Sequence, residues 1–123
     1  MRDYQVMRGI LAKAASSTGE LSLCELAGGY PAEDVLSESV RLMSDELIVG
    51  DVQYDAFGGC RSFSVSGLTD EGRDFWRLVE NERVWRIVLE TLRAADVDVS
   101  YPLLKEVCEE IVKRYVTQFI PSM

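Results

Sequence analysis

The stretch IVGDVQYDAFGGCRSFSVS, residues 48–66, decides the fold of this chain. Its first half repeats at every second residue, so one face of an extended strand would carry Ile48, Gly50, Val52 and Tyr54. The second half repeats in the same way, with Phe63 and Val65 placed between serines. Two alternating runs joined by a Gly-Gly pair are typical of an antiparallel hairpin. The segment therefore predicts two paired strands with a turn across residues 55–61.

A helix is predicted immediately before this hairpin, over residues 31–47. Pro31 is tolerated in a first turn, and Glu33 and Asp34 favour a helix N-terminus through the helix dipole. Apolar residues at helical spacing predict a buried stripe made of Leu36, Val40, Met43 and Leu47. The outer face would then carry charged and hydroxyl side chains, namely Glu33, Ser37, Arg41 and Ser44, flanked by Asp34, Glu38 and Asp45.

Local signals predict the remaining elements on either side. An opening helix is expected over residues 3–15, because apolar residues recur there at helical spacing. Residues 21–24 alternate and predict a short strand. Thr69 and Asn81 are suitable N-caps for two further helices. Apolar spacing predicts that the second of them buries Val84, Trp85, Val88, Leu89 and Leu92. A last helix is expected to open near Pro102, with apolar residues from Leu103 to Ile120.

The order of elements is helix, short strand, helix, hairpin and further helices, which is typical of a winged-helix fold. This is an α+β class, here mainly α, in which the hairpin (the wing) covers one side of a small helical core. A length of 123 residues fits one domain. We therefore expect a single winged-helix-like domain over residues 1–123, with its helix-strand-helix-wing core in 1–68 and additional C-terminal helices in 69–123.

The composition argues against catalysis and against a metal or cofactor site. The chain contains no histidine, the commonest general base and metal ligand. Its three cysteines lack the close spacing of a zinc site or of a disulfide framework. We interpret Cys24 and Cys108 as buried and Cys60 as exposed near the hairpin tip. The sequence predicts no enzymatic activity, no catalytic residue, no metal and no cofactor.

The predicted cellular location and the net charge limit the kinds of partner that are expected. No apolar run approaches the ~20 residues that span a bilayer, and the first residues lack a signal-peptide pattern. With an odd number of cysteines, this predicts a cytoplasmic protein that does not enter the membrane. The net charge of −8 repels phosphate backbones and disfavours DNA as a partner.

Several segments resemble a family of small bacterial and phage proteins catalogued as domain of unknown function 2513. The similar stretches are MRDYQVMRGIL (1–11), VLSESVRLMSDELI (35–48) and LTDEGRDFW (68–76), with Trp85 and residues 103–106 in corresponding places. The resemblance extends to about residue 110 and rests largely on structural motifs. It implies a winged-helix fold and occurrence in prophages and mobile elements, and it implies no established activity. Arg73 departs from the family, which usually has histidine there.

The predicted helix before the hairpin decides between protein and DNA as the partner. A base-reading helix needs outward Arg, Lys, Asn or Gln side chains, whereas this one offers mostly carboxylates. We expect a protein partner, bound through an acidic helix face and the wing, and one version of this hypothesis is inhibition of a host nucleic-acid-binding or defence complex. The alternative, drawn from the fold, is a DNA-binding transcriptional regulator. The expected partner-binding residues are Glu33, Asp34, Ser37, Glu38, Arg41, Asp45, Tyr54, Phe57 and Arg61.

The last helix carries more apolar surface than one contact stripe requires. Surplus apolar surface on a terminal helix favours either a core that covers two sides or a second subunit. A homodimer through residues 103–120 is therefore also expected from the sequence.

Overall fold

The computed structural model describes residues 2–96 and 98–119, which form six helices and one hairpin within those ranges. The elements in chain order are α1 (Tyr4–Ser16), α2 (Leu23–Ala27), α3 (Ala32–Ser44), β1 (Ile48–Tyr54), β2 (Cys60–Leu68), α4 (Asp70–Val79), α5 (Glu82–Ala95) and α6 (Tyr101–Thr117). This order confirms the predicted winged-helix-like α+β fold. The chain divides into two compact units, residues 2–76 and the residues from 77 onward. The single domain predicted over residues 1–123 stays a prediction.

The first helix forms where the sequence predicts it. The carboxylate of Asp3 accepts hydrogen bonds from the backbone N–H groups of Gln5 and Val6, both at 3.2 Å, and so caps the helix. Its inward face is fully buried and supplies a large part of the core of the first unit, through Val6, Met7, Ile10, Leu11 and Ala14. Burial of these side chains is the main reason that α1 is stable, since a helix of 13 residues is marginal in isolation.

The strand predicted over residues 21–24 is wrong except at its first residue. Leu21 exchanges two backbone hydrogen bonds with Val65, at 2.8 and 3.1 Å, and forms an isolated bridge. At Ser22 the backbone turns into α2, because Ser22 and Glu25 form a capping box in which each side chain accepts from the other residue's N–H. The Ser-x-x-Glu pattern of this capping box outweighs the apolar alternation.

The third helix is rotated relative to the sequence prediction. Its fully buried positions are Val35, Ser39 and Leu42, and Glu38 beside them is 4% exposed. The predicted stripe is shifted by one residue, because Leu36, Val40 and Met43 are only half-buried; Leu47, just beyond the helix, is buried as predicted. Two polar residues of α3, Glu38 and Ser39, therefore lie in the core beside Val35 and Leu42, which apolar periodicity cannot predict.

The predicted hairpin is confirmed, and its strand pairing has two register shifts. The strands pair antiparallel from Ile48 opposite Leu68 to Tyr54 opposite Cys60. Register shifts follow Val49 and Gln53, as expected at β-bulges, which increase local twist. Gly50 lies at the first shift, where a Cβ would be 2.7 Å from the methyl carbon of Met43 and 2.5 Å from a strand carbonyl. Glycine here lets the wing approach α3 closely.

The base of the hairpin is held by the start of α4. The predicted cap is confirmed, because the hydroxyl of Thr69 accepts from the N–H of Gly72 at 2.9 Å. The same hydroxyl donates to the carbonyl of Glu46 at 2.6 Å, and the N–H of Thr69 donates to the carbonyl of Leu47 at 3.1 Å. Thr69 thus ties the helix start to the segment that enters the wing.

The second unit contains α5 and α6, which pack against each other. Asn81 caps α5 as predicted, accepting from the N–H groups of Arg83 and Val84 at 2.9 and 3.1 Å. All five predicted core residues of α5 are buried: Val84, Trp85, Val88, Leu89 and Leu92. In α6, burial is confined to Leu104 and Cys108. The other predicted apolar residues of α6 are half-buried or exposed, and Ile120 lies outside the described residues.

Gly72 offers a sharp test of the contact between α4 and the wing entrance. A Cβ at this position would overlap the carbonyl oxygen of Leu47. We expect Gly72→Ala to lower the free energy of unfolding by about 2–3 kcal/mol, although the same exchange usually stabilises a helix. Gly19→Ala is the control, since a Cβ there meets nothing within 4 Å. Equal effects of the two substitutions in denaturant unfolding would contradict the described contact.

Candidate functional site: the wing face

The exposed side of α3 and the hairpin carries most of the residues that the sequence assigns to partner binding. Glu33, Asp34 and Ser37 are exposed on the first turns of α3, Arg41 is half-buried, and Tyr54, Phe57 and Arg61 are exposed on the hairpin. We call this surface the wing face and define it by those seven residues together with Val40, Met43, Ser44, Asp51, Val52 and Asp55.

Glu38 does not belong to the wing face, and its predicted position on the outer face of α3 is wrong. Its carboxylate accepts a hydrogen bond from Nε of Arg2 at 3.1 Å and another from the N–H of Asp3 at 3.0 Å. Both members of the ion pair are buried, with side-chain exposures of 1% for Arg2 and 5% for Glu38. The apolar periodicity of α3 gave no sign that a carboxylate points into the core.

Asp45 is drawn into the same cluster. Nη1 of Arg2 lies 3.3 Å from a carboxylate oxygen of Asp45, whose side chain is 29% exposed. One guanidinium group therefore bridges two acids of the predicted binding surface and neutralises part of their charge. Asp45 therefore lies at the edge of the wing face, and its carboxylate pairs with Arg2 within the fold.

A groove lies between α3 and the hairpin, and the sequence patterns do not predict it. It has a volume of about 340 Å³, and its apolar lining comes from Val40 and Met43 of α3 and from Val52 and Tyr54 of the hairpin. Ser44, Gly50 and Asp51 complete the lining. Because α3 is rotated, Val40 and Met43 face this groove instead of the core. The one signal in the sequence is Gly50, since a strand glycine often marks a close approach of another element.

The tip of the wing presents an aromatic side chain on a well-defined turn. The carboxylate of Asp55 accepts from the N–H groups of Phe57 and Gly59, both at 2.9 Å, and Gly58 adopts a positive φ of 83°. Phe57 is 98% exposed, and Tyr54 at the end of β1 is 52% exposed. Both side chains offer exposed aromatic surface, and aromatic residues are enriched in protein interfaces.

The charge of the wing face is mainly negative. Exposed carboxylates come from Glu33, Asp34, Asp51 and Asp55, whereas residues 31–66 contain two basic side chains, Arg41 and Arg61. Even with Glu38 buried and Asp45 partly neutralised, acids outnumber bases on this surface. A phosphate backbone brought here would meet like charge, and a cationic surface would meet opposite charge.

The burial of the three cysteines agrees with the prediction except at Cys24. Cys60 is exposed and Cys108 is buried, as predicted, but Cys24 is exposed at the start of α2. Burial, with a smaller contribution from the carboxylate of Glu109, raises the pKa of the Cys108 thiol from 9.0 to about 12. Cys108 is therefore a protonated core side chain at neutral pH.

No group of three or more cysteine, aspartate or glutamate side chains in the described parts of the chain is placed to hold a metal ion. None of the helices within residues 2–96 and 98–119 has the length and apolar character needed to cross a bilayer.

Comparison with known proteins gives a distant structural neighbour. No protein-family model matches the chain, and no curated protein matches it. Among solved structures, it is similar to a PadR-like transcriptional regulator from Bacillus cereus, with 20% sequence identity and a TM-score of 0.44. The match covers 77% of this chain and 96% of that one. At this level of similarity, function has to be argued from the chain's own surface.

The buried thiol makes stability depend on alkaline pH in a defined direction. The folded pKa of Cys108, about 12, lies above the unfolded value of 9.0, so the folded state is favoured below pH 9 and loses this advantage as pH rises toward 12. Relative to Cys108→Ala, the wild-type free energy of unfolding should fall by roughly 1 kcal/mol between neutral pH and about pH 10.

Thiol labelling supplies the control for this prediction. Cys24 and Cys60 should react rapidly with a thiol reagent in the folded protein, and Cys108 should react only after unfolding. A pH-independent difference between wild type and Cys108→Ala, or rapid labelling of Cys108, would show that the thiol is accessible to water.

Proposed function

We propose that this chain is a non-catalytic binding protein whose wing face binds a protein partner with a basic surface. The observation that supports the proposal is the excess of exposed carboxylates on α3 and the hairpin, on the surface where a DNA-binding winged helix would carry cations. Acidic groups of this kind speed association with a cationic partner and repel nucleic acid.

The wing face offers two kinds of contact to such a partner. Phe57 and Tyr54 supply exposed aromatic surface, and Val40 and Met43 supply the apolar side of the groove next to Tyr54. Binding energy in protein interfaces is concentrated in buried aromatic anchors, while surrounding charges act mainly on association rate and specificity. We therefore assign affinity to the aromatic and groove residues and partner selection to Glu33, Asp34, Asp51 and Asp55.

Inhibition of a nucleic-acid-binding protein is the more specific form of this proposal. A surface that binds phosphate is cationic, and the carboxylates of the wing face could occupy it in place of a nucleic acid. The resemblance to phage and mobile-element proteins supports a host complex, including a defence complex, as the target. Neither an enzymatic activity nor a cofactor forms part of the proposal.

A DNA-binding transcriptional regulator is the second candidate, and the order of elements favours it. In winged-helix regulators the helix before the hairpin enters the major groove and the wing contacts the backbone. Here that helix is α3, and Arg41 and Arg61 are the basic residues that could contact DNA. The fold alone does not establish this function.

The proposal predicts that capture of a partner depends on specific wing-face residues. Immobilised protein incubated with bacterial lysates should enrich a cationic protein, and Phe57→Ser should weaken its binding by about tenfold or more. Glu33→Lys should slow association and weaken binding in low salt more than in high salt. Glu90→Lys on α5 is the matched control, because it reverses an exposed charge outside the wing face.

Binding to duplex DNA tests the second candidate function. The wild-type chain should show no sequence-selective retention of DNA in a low-salt mobility-shift assay. Sequence-selective binding that weakens steeply with added salt, and that Arg41→Ala or Arg61→Ala reduces, would instead establish the regulator.

A further inference from the structure

The last helix has two apolar faces, and the core covers one of them. Leu104 and Cys108 are fully buried. A second row, spaced by four residues, contains Leu103, Val107, Ile111 and Tyr115, all of which are half-buried or exposed. Residues four apart form a continuous ridge along a helix, and such ridges pack into the grooves of neighbouring helices.

This second row lines a groove with α5, which we call the α5–α6 groove. Its volume is about 580 Å³, and Ile87 and Thr91 of α5 form its opposite wall. Leu103 and Ile87 are 46% and 39% exposed, and the ring of Tyr115 extends the surface by an edge contact with Phe119 at 5.2 Å between centroids. A contiguous exposed apolar surface of this kind marks an interaction site.

The charged residues in the groove identify its occupant. Glu106 and Glu110 lie in the middle of α6, and Arg114 follows toward its C-terminal end. An antiparallel second copy of α6 would bring the acidic part of each helix to the basic end of the other, with Glu106 facing Arg114. A parallel copy would place like charges together, a destabilising arrangement.

The charges close to the centre of such a pair are already compensated. Glu110 and Arg114 form an i,i+4 ion pair at 3.2 Å within α6, and both side chains are exposed. Glu110 therefore carries its own counter-charge where two helices related by a two-fold axis would cross. In an antiparallel pair each Arg114 would lie between its own Glu110 and Glu106 of the second copy, so that one guanidinium faces two carboxylates. A partner of one charge sign would leave either the glutamates or Arg114 opposite like charge.

We propose that the α5–α6 groove is the interface of a symmetric homodimer in which two α6 helices pack antiparallel. The inference goes beyond the function proposed for the wing face, because it concerns α5 and α6 and holds whichever partner the wing face binds. The dimer carries two copies of the wing face, which raises the apparent affinity for a partner that itself offers two sites.

Sedimentation equilibrium over a micromolar to millimolar range tests the interface. The wild-type chain should associate to a dimer, and Leu103→Asp should weaken association by roughly 100-fold or more, because two-fold symmetry places two uncompensated carboxylates in the interface. Val116→Asp is the matched control, since Val116 is 47% exposed on the same helix but does not line the groove. Circular dichroism checks folding, and Leu103→Ser replaces the aspartate variant if its helical signal is lost.

A charge exchange tests the antiparallel arrangement separately. Glu106→Arg and Arg114→Glu should each weaken the dimer, and the double variant should recover most of the loss. A wild-type chain that remains monomeric, or equal effects of Leu103→Asp and Val116→Asp, would overturn the proposal and leave the groove to another occupant. A double variant as weak as either single variant would overturn the antiparallel pairing.

Discussion

The ion pair between Arg2 and Glu38 is the interaction on which the arrangement of the first unit depends. It joins Arg2, two residues before α1, to the middle of α3, 36 positions later, and almost no water reaches either side chain. A buried carboxylate without a partner costs several kcal/mol, so α3 can place Glu38 inward only while Arg2 lies beside it. The ion pair therefore fixes the rotation of α3 about its own axis, and in that rotation both Glu38 and Ser39 are buried.

The rotation of α3 decides which of its side chains are exposed to a partner. With Glu38 inward, Val40 and Met43 turn toward the hairpin and form the apolar groove, and Gly50 lets the strands come close. The exposed carboxylates then lie on the first turns of α3 and along the hairpin. The resulting surface combines a small apolar groove, aromatic side chains and negative charge, and the proposed binding of a cationic protein rests on that combination.

Features encoded by neighbouring residues could be predicted from the sequence, and features that depend on distant residues could not. The hairpin, the caps at Thr69 and Asn81 and the core face of α5 follow from short-range patterns, and all of them are confirmed. The rotation of α3 depends on Arg2, so apolar periodicity placed its stripe one residue away and counted Glu38 among the partner-binding residues. Cys24 was assigned to a buried strand because alternation in residues 21–24 hid the capping box at Ser22.

The coupling free energy between Arg2 and Glu38 tests this account most directly. In a double-mutant cycle, Arg2→Met and Glu38→Gln should each lower the free energy of unfolding, Arg2→Met by roughly 3–5 kcal/mol because it leaves a buried carboxylate without its counter-charge. The double variant should lose far less than the sum of the two, since it removes both charges. Additive losses, with a coupling near zero, would show that the pair does not hold α3 and would remove the basis for the wing face as described.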